Sequence, residues 1–192
     1  MSTDEAGSAQ LRRSLLFAAA VVVAYLVAGA VAGAVWEWLW TPPTQVVQQH
    51  QLFYTDYGSL RQVFTGTGLY ALVAAVTSAL LALATGLLTR RHELLVLAAV
   101  TLGSLGAAWT MHAVGVALGP PDPAVIAKTA ADGTHVSAQL VVNGKSPYLV
   151  WPMVSLFVLA LVFFAWPGGR ARHRGDARTE PAEADVAEPT AG

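Results

Sequence analysis

The chain has 192 residues, of which 55% are hydrophobic and 12% charged, and it contains no cysteine. A charged fraction that low, against roughly 25% in ordinary soluble domains, points to the membrane class, and the missing cysteines exclude disulfides, thiol catalysis and cysteine-ligated metals. The formal net charge of -1 says little as a total, because the charges are segregated along the chain.

Residues 1–10 are polar and read as a disordered tail, and residues 11–166 read as one membrane domain. Four apolar runs organise that domain, at about 15–36, 69–88, 94–118 and 148–166, and none contains Asp, Glu, Lys or Arg. Each is long enough to cross a hydrocarbon core of roughly 30 Å, which takes about 20 helical residues. The first run follows Arg12-Arg13 as a signal peptide would. It is too long for an h-region, however, and ends in Trp36-Glu37-Trp38 rather than small residues, so it reads as a retained helix.

Charge sets the orientation. Arg12, Arg13, Arg90, Arg91, Arg170, Arg172, Arg174 and Arg178 flank the runs on one side, and only Arg61, Lys128 and Lys145 lie in the other two loops. Cytoplasmic loops carry the excess of basic residues, so both termini belong in the cytoplasm and loops 37–68 and 119–147 face outward. Trp36, Trp38, Trp40, Tyr70, Trp109, Tyr148, Trp151 and Trp166 fall near the run ends and read as interfacial belts. An aromatic-lined pocket at the outer leaflet is the alternative reading. Gly29 and Gly33 in the first run, with Gly103 and Ala107 in the third, form small-residue stripes that let helix backbones approach closely. They serve helix packing within one chain or between copies in a homo-oligomer.

In the first outward loop, Pro42-Pro43 stops the helix. The segments 45–49 and 52–55 then predict a β-hairpin about His50-Gln51. Ser59 with Gln62 has the pattern of a capping box for a short helix leading into the second run. In the second loop, Asp122 before Pro123 predicts a short helix over 124–131. Asp132-Gly133 turns the chain into a β-branched stretch, 134–142, that could join the hairpin in one sheet. Asn143-Gly144 is a further turn signal, and Pro147 breaks the chain before the fourth run. Residues 167–192, with an Arg/His cluster and then an acidic, proline-containing run, read as a disordered tail.

These loops and helix ends resemble the actinobacterial domain of unknown function (DUF) 2567 family. The likeness rests on Val46-Val47-Gln48 after a Trp/Pro helix end, on Gly115-Val116-Ala117-Leu118-Gly119-Pro120, on Asp122-Pro123 and Asp132-Gly133, and on Val150-Trp151-Pro152. The resemblance covers about residues 15–166 and implies a four-span membrane protein. It implies no mechanism.

His112 is the only titratable residue well inside a run, about 27 Å along the third helix from Leu94 at 1.5 Å per residue. Glu37 reaches the same level, Arg61 lies in the outward loop and Trp151 starts the fourth run. Together they are the candidate outer-leaflet ligand or proton site, since ionisable residues at membrane depth are functional candidates. A histidine this near the interface can equally be satisfied by a headgroup or a backbone carbonyl. No HExxH, GxSxG, Walker or GxGxxG motif is present, so catalytic, cofactor and metal residues are all assigned as none and the chain is not read as an enzyme.

The resulting fold class is an all-α integral membrane four-helix bundle with a small extracytoplasmic cap holding a β-hairpin and a short helix. The location expected is the bacterial plasma membrane. The expected role is a non-catalytic accessory or scaffold protein of the cell envelope, with membrane lipids and envelope membrane proteins as partners and no nucleic acid. The alternative is a small transporter or lipid-handling protein using the outer-end site.

Overall fold

The computed structural model describes residues 3–55, 57–89 and 93–165. Arg90, Arg91 and His92 lie outside the described residues, as do Trp166 and the whole 167–192 segment, and so do the charge, belt and tail expectations placed on them.

The first helix, α1, covers Thr3–Leu39. It begins well before Gln10, within the stretch read as a disordered tail, because nothing in residues 3–10 breaks a helix that the apolar run carries forward. Pro42-Pro43 ends it as expected, with Pro43 buried. Two short strands come next, β1 at Thr44–Gln48 and β2 at Gln51–Tyr54. Helix α2 runs unbroken over Tyr57–Leu88. The proposed cap at Ser59 is therefore already inside a helix, and the separate short helix merges with the second span. Helix α3 is Glu93–Leu118, and α4 is the short Pro123–Ala127. Asp122 caps α4 by accepting a hydrogen bond from the Ala124 amide at 2.8 Å, with Pro123 in the first turn, but α4 stops short of the expected Ala131. Strand β3 is only His135–Ser137, a third of the β-branched stretch. A 3₁₀ turn at Ser146–Leu149 leads into the last helix, α5, at Val150–Ala165.

Helices α1, α2 and α3, and α5 with its preceding turn, are long and apolar enough to cross a membrane. Their outer faces carry exposed Val27, Val31, Leu72, Leu80, Leu102 and Phe157. Apolar surface spread over these helices is compatible with a multi-pass membrane protein.

Packing pairs the helices in a way their order in the chain hides. Helix α1 lies along α3, and α2 along α5, while α2 and α3, joined by a short link, barely touch. Since α1 and α3 both lead into the cap and α2 and α5 both leave it, each tight pair is parallel. The two helix–cap–helix halves thus pack with equivalent helices in contact. Pro42-Pro43 and Pro120-Pro121 mark the ends of one pair, and Tyr70 and Tyr148 meet near the start of the other, ring centroids 5.7 Å apart.

The α1–α3 seam is glycine-built. A Cβ added at Gly29 would stand 2.6 Å from the Ala107 carbonyl oxygen, and one at Gly33 would stand 2.5 Å from that of Met111. Gly103 sits under the Tyr25 side chain, and Gly115 makes room for the Trp36 indole. The small-residue stripes therefore serve packing inside the chain, where close approach gains van der Waals contact.

The cap is one antiparallel sheet in the order β2-β1-β3. Val46 pairs with Phe53 on one side and His135 on the other. The two-residue turn Gln49-His50 has φ of 50° and 60°, the left-handed pair that a tight hairpin requires and that Asn-Gly usually supplies. Here neighbouring chain holds it. Asp132 accepts a 2.8 Å hydrogen bond from the Gln49 amide, the Val47 amide donates to Thr134, and the Gly133 amide donates to Val47. Val47, Ala127 and Val136 form a small core between sheet and α4, while Leu140 and Val142 drop into the main bundle core.

Candidate functional site

Four rings from different elements meet at the cap end of the bundle. Trp36 of α1 packs edge-on against Tyr70 of α2, centroids 5.1 Å apart. Tyr70 lies against Tyr148 of the 3₁₀ turn, and Tyr148 meets His112 of α3 at 5.4 Å and 69°. His112 closes the circle against Trp36 at 6.4 Å. The Trp36–Tyr70 and His112–Tyr148 contacts are edge-to-face, a favoured arrangement for aromatic pairs. Trp36 and Tyr70 are fully buried, and each spends its polar tip across the bundle. The indole N–H of Trp36 donates to the Gly66 carbonyl at 2.8 Å, and the Tyr70 hydroxyl donates to the Ala108 carbonyl at 2.9 Å.

A second aromatic layer lies deeper. Trp151 is fully buried, donates its N–H to the Met111 sulfur at 3.3 Å, and meets the Tyr25 ring at 6.3 Å. The belt reading of the sequence is thus corrected for Trp36, Trp40, Tyr70 and Trp151, which face inward and fill the core. Among the described residues it fits Trp38 and Trp109, which are 79% and 70% exposed. The glycines opposite explain the difference: Trp36 turns inward over Gly115, and Trp40 over Gly66.

The four candidate site residues stand on four different helices, α1, α2, α3 and α5. His112 is half-buried among Trp36 and Tyr148, and its Nδ1 is buried without a hydrogen-bond partner among the described residues. Glu37, in the last turn of α1, makes no ion pair with His112 or with Arg61. Arg61 is exposed near the start of α2, and Trp151 is locked in the second layer. Among the described residues no three His, Asp or Glu side chains come close enough to hold a metal ion. What the site offers chemically is an aromatic wall with the buried Nδ1 of His112 left to hydrogen-bond. Tyr25 is the member that sequence reasoning did not single out. The signal was its placement over Gly103 and against Trp151, which a linear sequence does not display.

No family model, curated protein or solved structure matches this chain.

Proposed function

We propose that the chain is a multi-pass plasma-membrane protein of the bacterial cell envelope, both termini cytoplasmic, that acts as a non-catalytic accessory or scaffold through its outward cap. The observation that carries this reading is the closure of the bundle by its own side chains: Tyr25, Trp36, Tyr70, Met111 and Trp151 are all fully buried. A core filled this way favours a rigid support over a conduit. The cap, by contrast, presents an edge strand, β2, with Phe53 and Tyr54 exposed. Edge strands recognise extended chains through free backbone groups, and exposed aromatics add contact area. Kinship with the DUF2567 family belongs to the same proposal and rests on Val46-Val47-Gln48, on the Gly115 to Pro120 stretch and on Val150-Trp151-Pro152.

The test is extraction of the tagged protein into polymer-bounded lipid discs, followed by mass spectrometry of what accompanies it. A stoichiometric protein partner, lost in the Phe53→Asp/Tyr54→Asp variant while the unfolding midpoint holds, supports the scaffold. Binding that ignores those two residues, or a protein with no partner, removes it.

One observation favours the second reading, a small transporter or lipid-handling protein. The Nδ1 of His112 is a buried polar atom without a partner at the cap end of the bundle. A lone protein enriched in one lipid or small solute, with the enrichment lost in His112→Ala, would move the assignment there.

A further inference from the structure

One spacing recurs along the whole membrane domain. Arg12-Arg13 before the first span returns as Arg90-Arg91 before the third, 78 residues later. Pro42-Pro43 returns at the same distance as Pro120-Pro121, Gly66 with Tyr70 as Gly144 with Tyr148, and Leu81-Ala82-Leu83 as Leu159-Ala160-Leu161. No insertion or deletion is needed between the first match and the last. The ends of α1 at Leu39 and α3 at Leu118 keep the spacing to within one residue. Most other span positions exchange one apolar residue for another, which hides the repeat from periodicity.

The structure brings matched positions face to face. Across α1–α3, Tyr25 lies over Gly103, Gly29 meets Ala107 and Gly33 meets Met111. Across α2–α5, the Tyr70 and Tyr148 rings meet at 5.7 Å. All four pairs have the 78-residue spacing; Gly86, which meets Val162, is two positions out of it. Each helix thus offers its partner the face that the partner offers it, the isologous contact of a two-fold axis. Two units stacked side by side would join opposite faces, and matched positions would not touch. The other contacts agree, since α1 packs on α2 as α3 packs on α5, while the diagonal pair α2 and α3 barely touch.

We propose that the membrane domain is a tandem duplication: residues 12–89 and 90–167 are two copies of one helix–cap–helix unit, related by a quasi-two-fold axis along the bundle. Parallel repeats in membrane proteins are related by such an axis. Each copy brings its own arginine pair to set its orientation. On the axis of identical copies every position meets itself, so large side chains would collide there. Here Tyr25 faces a glycine and Met111 faces Gly33, large against small in opposite senses, which fixes each copy in its place. The copies part in the cap, where the first supplies β1 and β2 and the second α4 and β3.

The test exchanges the two blocks. A full-length chain ordered 1–11, 90–167, 12–89 and 168–192 keeps every residue and joins position 167 to 12 as 89 joins 90, with no linker added. In lipid discs its unfolding midpoint is expected within about 4 °C of the native chain, and His50→Cys and Lys145→Cys should label from outside in both orders. In the native order, a short bifunctional thiol reagent should join Tyr25→Cys to Gly103→Cys and Tyr70→Cys to Tyr148→Cys. Pairs displaced by one turn, Tyr25→Cys with Ala107→Cys and Tyr70→Cys with Pro152→Cys, should link less. An exchanged chain that unfolds far below the native one, or labels from the wrong side, would overturn the duplication. So would displaced pairs that link as well as the matched ones.

Discussion

Replacing Gly33 by alanine adds one carbon to the most crowded point of the α1–α3 seam. That carbon would stand 2.5 Å from the Met111 carbonyl oxygen and 3.1 Å from the Gly115 amide nitrogen. Both neighbours are backbone, so no rotamer change relieves the clash. To restore an ordinary contact of about 3.5 Å the helices must separate by about 1 Å, a gap that forfeits a quarter to a half of each dispersion contact along the seam. Gly29 on Ala107 and Trp36 on Gly115 share that interface, so the loss spreads to them. The expected destabilisation is about 1–3 kcal/mol, the usual range for overpacking. Gly68 supplies the control, since it lies in α2 with nothing within 4 Å of an added Cβ. Gly68→Ala should stabilise by about 0.5–1 kcal/mol, by narrowing the unfolded ensemble and favouring helix. Reversible unfolding in mixed micelles, titrated with a denaturing detergent, measures both. If Gly33→Ala is as stable as the native chain, or both variants lose stability alike, the close parallel seam is wrong.

Two further outcomes rest on single contacts. Tyr70→Phe deletes the 2.9 Å bond to the Ala108 carbonyl and should cost about 0.5–1.5 kcal/mol in the same unfolding assay. Gln49→Asn with His50→Gly relieves two left-handed residues in the hairpin turn and should slow amide exchange across β1 and β2, whereas Asp132→Ala, which removes the acceptor for the Gln49 amide, should speed it.

Much of the architecture was legible in the sequence because its signals are local. Apolar length gave the four long helices, Pro42-Pro43 gave the end of α1, and Asp122-Pro123 gave the start of α4. The hairpin, with 134–142 as a third partner, was legible as a sheet, although only His135–Ser137 pairs. Past that point the chain leaves the sheet. The Ala138 amide donates to Pro43, and Leu140 sinks into the bundle. Facing was not legible. In a helix that is apolar all round, the side toward a neighbour and the side toward lipid carry the same residue types, so periodicity is silent. Trp36 and Trp38 show the consequence, since they stand two positions apart, one fully buried and the other 79% exposed. The relation of Glu37 to His112 was not legible for the same reason, since equal depth on two helices does not fix the rotation of either; Trp36 is the α1 side chain whose ring meets His112.

The absence of cysteine from the chain makes the central claim directly measurable. Single cysteines placed at Gln10, His50 and Lys145, all exposed, can be treated in intact cells with a membrane-impermeant maleimide before and after lysis. Labelling of His50→Cys and Lys145→Cys in intact cells, with Gln10→Cys reacting only after lysis, is the result expected of a four-span bundle with an outward cap. Labelling of positions 50 and 145 from opposite sides, or of position 10 from outside, would contradict it.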